Sequence, residues 1–194
     1  MVNDPQGASI WNVPNALTAL RFALSIVVFV LISLQLFLWA FFVFVIAAST
    51  DWVDGYWARR FGQTTQVGRI FDPLVDKIII CGVFIFLAAE ARSGITAWMA
   101  VVVVAREMLV TALRGFIEQH GGDFSAKMAG KLKMVFQCIA AGASLLVLSY
   151  VTLPPPSWLE WTLVVFVWLA ILSTIYSGLE YVLAAVRFVG RATK

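Results

Sequence analysis

Four aspartates, Asp51, Asp54, Asp72 and Asp76, lie in or beside two strongly apolar runs, where carboxylates are out of place. They are four of only eleven acidic residues in a chain of 194. A carboxylate within a membrane-spanning segment costs on the order of 2.5–3.5 kcal/mol on insertion scales. Four close together also repel one another, so something cationic must compensate. Asp51 and Asp54 are three residues apart, and Asp72 and Asp76 are four apart. On helices, each pair therefore shares a face. An all-oxygen ligand set suits a hard divalent cation, Mg²⁺ or Mn²⁺. Four acids together with a polyphosphate ligand can clamp two such ions. The competing reading is a solvated rim in which the acids pair with Arg59, Arg60, Arg69 and Lys77. The apolar neighbours Val53, Leu74, Ile78 and Ile79 argue against it.

The elements that position these acids are apolar helices. The chain is 61% hydrophobic and only 13% charged. Soluble domains have about 45–50% apolar and about 25% charged residues. A spanning helix needs roughly 20 mostly apolar residues. Six such segments are expected, over about residues 15–33, 36–60, 68–91, 94–117, 129–151 and 158–188. The fold class is thus an all-α integral membrane protein, one domain over residues 1–194. Ser33-Leu34-Gln35, Arg92-Ser93-Gly94, His120-Gly121-Gly122-Asp123 and Pro154-Pro155-Pro156 supply breaks. The second and third segments are antiparallel neighbours with a short loop between them. The end of one and the start of the other lie at similar depth, so the four carboxylates can converge.

The first segment lacks the basic leader and small-residue cleavage site of a signal peptide, and a second span follows at once. Residues 8–13, with Trp11, read equally as a short interfacial helix or as an unstructured tail. Lys and Arg are strongly asymmetric. Arg59, Arg60, Arg69, Arg114, Lys127, Lys131, Lys133, Arg187, Arg191 and Lys194 fall on one side, and Arg92 alone on the other. The expectation is that both termini and the aspartates face the cytoplasm.

Asp51, Asp54, Gly55, Ala58, Arg59, Gly68, Asp72 and Asp76 fill D-x2-D-G-x2-A-R-x8-G-x3-D-x3-D without a gap. This stretch resembles the CDP-alcohol phosphatidyltransferase family, and the six-span layout is similar to it along the whole chain. The resemblance implies that Asp51, Asp54, Asp72 and Asp76 hold metal and that CDP-diacylglycerol is the donor. The metals would neutralise its pyrophosphate and the charge developing on phosphorus. Asp76 would also be the general base, taking the proton of the acceptor hydroxyl that attacks the β-phosphorus and expels CMP. Gly55, Ala58 and Gly68 would let the nucleotide approach the backbone, although small residues also serve close helix packing. Arg59 would contact phosphate through its forked donors, and Thr65 would add a hydroxyl. The family further implies a homodimer embedded among membrane lipids.

The acceptor is read from elsewhere. The run Pro14 to Arg21, the run Arg106 to Arg114 and Gly130-Lys131-Leu132-Lys133 resemble a subgroup, the bacterial phosphatidylglycerophosphate synthases. Their acceptor is sn-glycerol 3-phosphate, and their setting is the bacterial cytoplasmic membrane. An unpaired cation deep in a span, as at Arg106, would be costly. Arg106, Arg114, Lys131 and Lys133 could together bind an acceptor phosphate. Arg106 could instead pair with Glu107 or a site aspartate, and the two lysines could serve lipid headgroups and topology. Asn15, Thr18 and Arg21 could line the nucleotide side, or cap and anchor the first helix.

Other functions are disfavoured. A net charge of +3 with no basic run gives no footprint for nucleic acid. Cys81 and Cys138 read as buried thiols, and the lone His120 as a loop residue. A cation transporter could bury acids, but would not need Gly55, Ala58, Arg59 and Gly68 at this spacing. Cardiolipin, phosphatidylserine and phosphatidylinositol-phosphate synthases remain as relatives with other acceptors.

Overall fold

The computed structural model of the chain describes residues 13–61, 66–119, 128–151 and 154–192. Side chains are described at 16–50, 74–117, 119, 132–151, 154–188 and 190. The expectation for residues 8–12 lies outside the described residues. Six helices follow in order: α1 Val13–Ser33, α2 Phe37–Phe61, α3 Gln66–Ala88, α4 Ala97–Gln119, α5 Met128–Ser149 and α6 Ser157–Ala192. No strand occurs among the described residues. The all-α expectation holds, with one helix for each apolar run.

The helical stretches Ala16–Ser33, Leu132–Ser149 and Ser157–Phe188 are long and apolar enough to cross a membrane, with mean hydropathies of 2.3, 1.7 and 2.0 over 18 residues. Phe37–Thr50 on α2 is a shorter apolar stretch. In α4 the apolar run is interrupted by Arg106, Glu107 and Arg114. Many large apolar side chains face outward, among them Trp39, Met108, Trp158, Trp161 and Val186, each more than 60% exposed. Monomeric soluble proteins rarely carry so much exposed apolar surface, but lipid tails satisfy it.

Packing divides the chain into two compact units, residues 1–82 and 83–194, with the division inside α3. In the first unit α1 packs against α2. The buried positions of α1 are Thr18, Arg21, Ser25, Val28 and Ile32. They alternate steps of three and four residues and so form one stripe. Its early half is polar and its late half apolar. On α2 the buried stripe is Phe37, Ala40, Phe44 and Ala47. The same register continues to positions 51, 54 and 58.

The link between α1 and α2 is closed by the chain itself. Leu36 N donates to Leu31 O and Gln35 N to Ile32 O, both at 2.9 Å. This is the paired C-terminal bonding of a Schellman motif. It places Gln35 in the left-handed region, at φ 60°. Near the other end of the unit, a Cβ on Gly82 would meet the Phe29 ring at 2.2 Å. A glycine on α3 is therefore what admits that ring.

In the second unit α6 packs against both α4 and α5. Ala140, Ala141, Ala143 and Ser144 give α5 a thin buried face, which lets helices approach closely. Trp98 meets Trp168 and Phe136 meets Phe166, at centroid distances of 6.2 and 6.1 Å. The polar break after α3 is longer than the sequence suggested: α3 ends at Ala88 and α4 starts at Ala97. Ser93 Oγ accepts from Ile95 N at 3.1 Å, and Gly94 turns the chain at φ 69°. Ser144 Oγ donates to Ser93 O at 2.8 Å, tying this turn to α5. Neither cysteine is in a disulfide, and both are half-buried.

Candidate active site

The polar half of the α1 stripe leads directly to Asp76. Arg21 Nη1 donates to Asp76 Oδ1 at 2.5 Å. The arginine side chain is 2% exposed and the aspartate 26%. The guanidinium is thus fully withdrawn from solvent, while the carboxylate it holds stays open to a reactant. Ser25 Oγ donates to the Arg21 carbonyl at 2.8 Å, and Thr18 is buried one turn earlier on the same face. On α3, Asp76 follows Val75 and precedes Ile79 and Ile80, which are buried. A side chain with no acceptor at position 76 would withdraw this partner from the buried guanidinium, which is costly, whereas an amide there still accepts.

Arg21 was expected on the nucleotide side of a pocket, and its described contact is with Asp76. This pairing carried no signal in the sequence, because the partners are 55 residues apart. Asp51, Asp54, Gly55, Ala58 and Arg59 lie on α2, and Gly68 and Asp72 on α3. Their side chains lie outside the described residues, as do those of Asn15 and Lys131, and Thr65 altogether. The helical backbone over 51–61 and 66–88 supplies the periodicity that a converging set of acids requires. Among the described residues there is no group of three metal-ligating side chains. The accessible carboxylate of Asp76, on the same helix as Asp72 and one turn after it, fits an oxygen-only site for a hard cation.

The second unit holds a separate polar cluster in the middle of its helices. Arg106 and Glu107 on α4 and Lys133 on α5 are 9%, 8% and 5% exposed. Arg106 Nη1 donates to Glu107 Oε1 at 3.2 Å, and Lys133 Nζ donates to the same oxygen. Arg106 Nη2 donates to Ser177 Oγ on α6. Its guanidinium carbon sits 5.5 Å from the centre of the Tyr181 ring, within cation–π range. Gln137 Nε2 donates to Thr174 Oγ1 at 3.0 Å one level away. Two cations and one carboxylate thus share this buried cluster, where each charge needs a partner.

Of the four residues expected to bind an acceptor phosphate, the structure brings Arg106 and Lys133 together, through Glu107. Arg114 is half-buried on the same face of α4, about 12 Å further along. The pairing of Arg106 with Glu107, weighed from sequence as an alternative to phosphate binding, is present. The carboxylate also holds Lys133, so it organises the cations. Ser177 and Tyr181 carried no signal in the sequence. Their register on α6, with Thr174, Ser177 and Tyr181 on one buried stripe, is visible only once the helix is packed.

A family model described as CDP-alcohol phosphatidyltransferase matches residues 11–185, across both units. A CDP-diacylglycerol–glycerol-3-phosphate 3-phosphatidyltransferase of Bacillus subtilis (strain 168) is 35% identical over 193 residues, covering 88% of this chain and 93% of the relative. Proteins of the same name from Salmonella paratyphi A and Escherichia coli K12 are 32% and 31% identical, each over 90% of this chain and 95% of the relative. With its membrane helices and the family match over nearly its whole length, the chain belongs to the CDP-alcohol phosphatidyltransferase family.

Proposed function

We propose that this membrane protein transfers the phosphatidyl group of CDP-diacylglycerol to sn-glycerol 3-phosphate, yielding phosphatidylglycerophosphate and CMP for phospholipid synthesis. The observation that carries this reading is the likeness, end to end, to relatives named for that reaction. The buried cluster of Arg106, Glu107 and Lys133 supports a phosphorylated acceptor over a neutral alcohol, because it gathers two cations and leaves Arg106 Nε buried with no hydrogen-bond partner among the described residues.

In this mechanism the acceptor hydroxyl gives its proton to Asp76, whose carboxylate is accessible while Arg21 fixes its orientation. The hydroxyl oxygen attacks the β-phosphorus, a new P–O bond forms, and the bond to CMP breaks. Asp51, Asp54, Asp72 and Asp76 would hold Mg²⁺ or Mn²⁺, two ions, whose charge offsets that of the pyrophosphate. Arg59 and Thr65 bind the donor's phosphates, and Gly55, Ala58 and Gly68 leave room for the nucleotide. Asn15 and Thr18 lie toward the donor at the start of α1. Arg106, Arg114, Lys131 and Lys133 bind the acceptor phosphate. The enzyme is a homodimer in the bacterial cytoplasmic membrane, with both termini on the cytoplasmic side.

The test is CMP release by purified protein given CDP-diacylglycerol and Mg²⁺ or Mn²⁺, with glycerol 3-phosphate, serine, inositol phosphate or phosphatidylglycerol in parallel. Release with glycerol 3-phosphate alone supports the reading. Release with another acceptor keeps the aspartate chemistry and overturns the acceptor. No dependence on added metal after chelation would remove the metal assignment.

A further inference from the structure

The acceptor cations cannot hold their places unaided. Arg106 and Lys133 carry like charge, sit on different helices and are both at least nine-tenths buried. Like charges in a low-dielectric interior repel strongly, and long flexible side chains separate unless something fixes them. A single oxygen, Oε1 of Glu107, accepts from Arg106 Nη1 and from Lys133 Nζ. That shared acceptor sets the gap between the two cations. Glu107 is itself in the middle of α4, where Thr111 Oγ1 donates to its carbonyl at 2.6 Å.

The other edge of Arg106 is fixed from α6. Ser177 accepts from Nη2, and the Tyr181 ring faces the guanidinium. Gly178, between them in sequence, leaves room for the arginine stem: a Cβ there would lie 3.2 Å from Arg106 Cγ. Each terminal nitrogen of Arg106 has a protein partner, whereas its Nε is buried with no hydrogen-bond partner among the described residues. A buried donor left without an acceptor is costly, so this edge is where an incoming anion gains most.

We propose that Glu107 is a positioning residue for the acceptor: its carboxylate spaces Arg106 and Lys133 so that the open Nε edge of Arg106 and the Lys133 ammonium receive one phosphate together. The inference rests on the reading of Arg106 and Lys133 as the acceptor-phosphate cations. Glu107 touches neither reactant and acts only through the two cations. Its effect therefore falls on the acceptor and not on the donor.

The test uses the full-length enzyme in detergent–lipid micelles. KM for glycerol 3-phosphate and for CDP-diacylglycerol is measured in the wild type and in Glu107→Gln, Glu107→Asp, Lys133→Met and Arg106→Lys. Glu107→Gln should raise the KM for glycerol 3-phosphate roughly 10-fold to 100-fold, the range for losing a charge-assisted hydrogen bond. The donor KM and kcat should stay within about threefold. Glu107→Asp, which keeps the charge, should recover part of the loss. Glycerol 3-phosphate should raise the melting temperature of the wild type more than that of Glu107→Gln.

An unchanged or lowered acceptor KM in Glu107→Gln, with Lys133→Met and Arg106→Lys still raising it, overturns the inference and leaves the acceptor reading intact. An unchanged acceptor KM in all the variants overturns the acceptor reading itself. An equal rise in both KM values marks a purely structural role and also overturns the inference. If Glu107→Gln does not fold, Glu107→Asp decides: an acceptor-selective rise supports the proposal, and its absence overturns it.

Discussion

At the scale of single residues, the fold brings together charges from distant positions. Asp76→Asn should reduce CMP release by about 100-fold to 10,000-fold, the span typical of a lost general base. The protein should still elute as folded material, since asparagine can accept from Arg21. Full activity in that variant would remove Asp76 from the chemistry. Gly82→Ala should destabilise the first unit by about 1–3 kcal/mol, the usual cost of overpacking. The Cβ has no room beside Phe29. Adding Phe29→Leu should restore most of the melting temperature, and failure to do so would place the strain elsewhere. The aspartates stood out in the sequence because carboxylates in apolar runs are conspicuous. The partners of Asp76 and Arg106 were not, because side chains 55 and 71 residues apart meet only after packing. Glu107 was visible as a neighbour of Arg106, but its hold on Lys133 needed α5 to be in place.

Element by element, each apolar run became a helix, and the misjudged parts were the ends. Apolar length fixes where a helix exists. Turn chemistry fixes where it stops, and that depends on bonds such as Ser93 Oγ to Ile95 N that composition does not announce. The α1–α2 link shows the same thing, since its left-handed position holds Gln35 where glycine is usual. Gln35→Val should cost about 1–3 kcal/mol, because a β-branched side chain suits that region poorly. Gln35→Gly should be tolerated. Thermal denaturation of the two variants in one detergent checks the pair, and equal losses would refute the assignment. In α4 the apolar run was read as a helix despite its charged residues, and Arg106 and Glu107 are buried there through bonds to α5 and α6.

On the scale of the whole molecule, the charge asymmetry gives a topology that can be measured. In a background of Cys81→Ala and Cys138→Ala, Arg92→Cys should react with an impermeant thiol reagent on intact cells. Arg187→Cys should react only after permeabilisation. The reverse pattern would invert the orientation. The number of helices was legible in the sequence because lipid imposes a nearly fixed length on an apolar crossing segment. The division into two compact units was not, since its boundary falls within the unbroken helix α3.

That fixed length has a further bearing on α6. The part of this helix whose side chains are described, Ser157–Phe188, has 32 residues and is about 48 Å long at about 1.5 Å per residue, against a hydrocarbon layer of about 30 Å. Its apolar stretch is shorter than the rod, since Glu160 lies in the first turn and Glu180 and Arg187 lie later in the helix. Burying the whole rod by tilt would take about 50° from the normal, beyond the roughly 40° limit of observed helices, so one or both ends stand clear of the layer. How far they stand clear depends on the thickness of that layer, so an enzyme that supplies lipid headgroups carries within this helix a gauge of the sheet it helps to build.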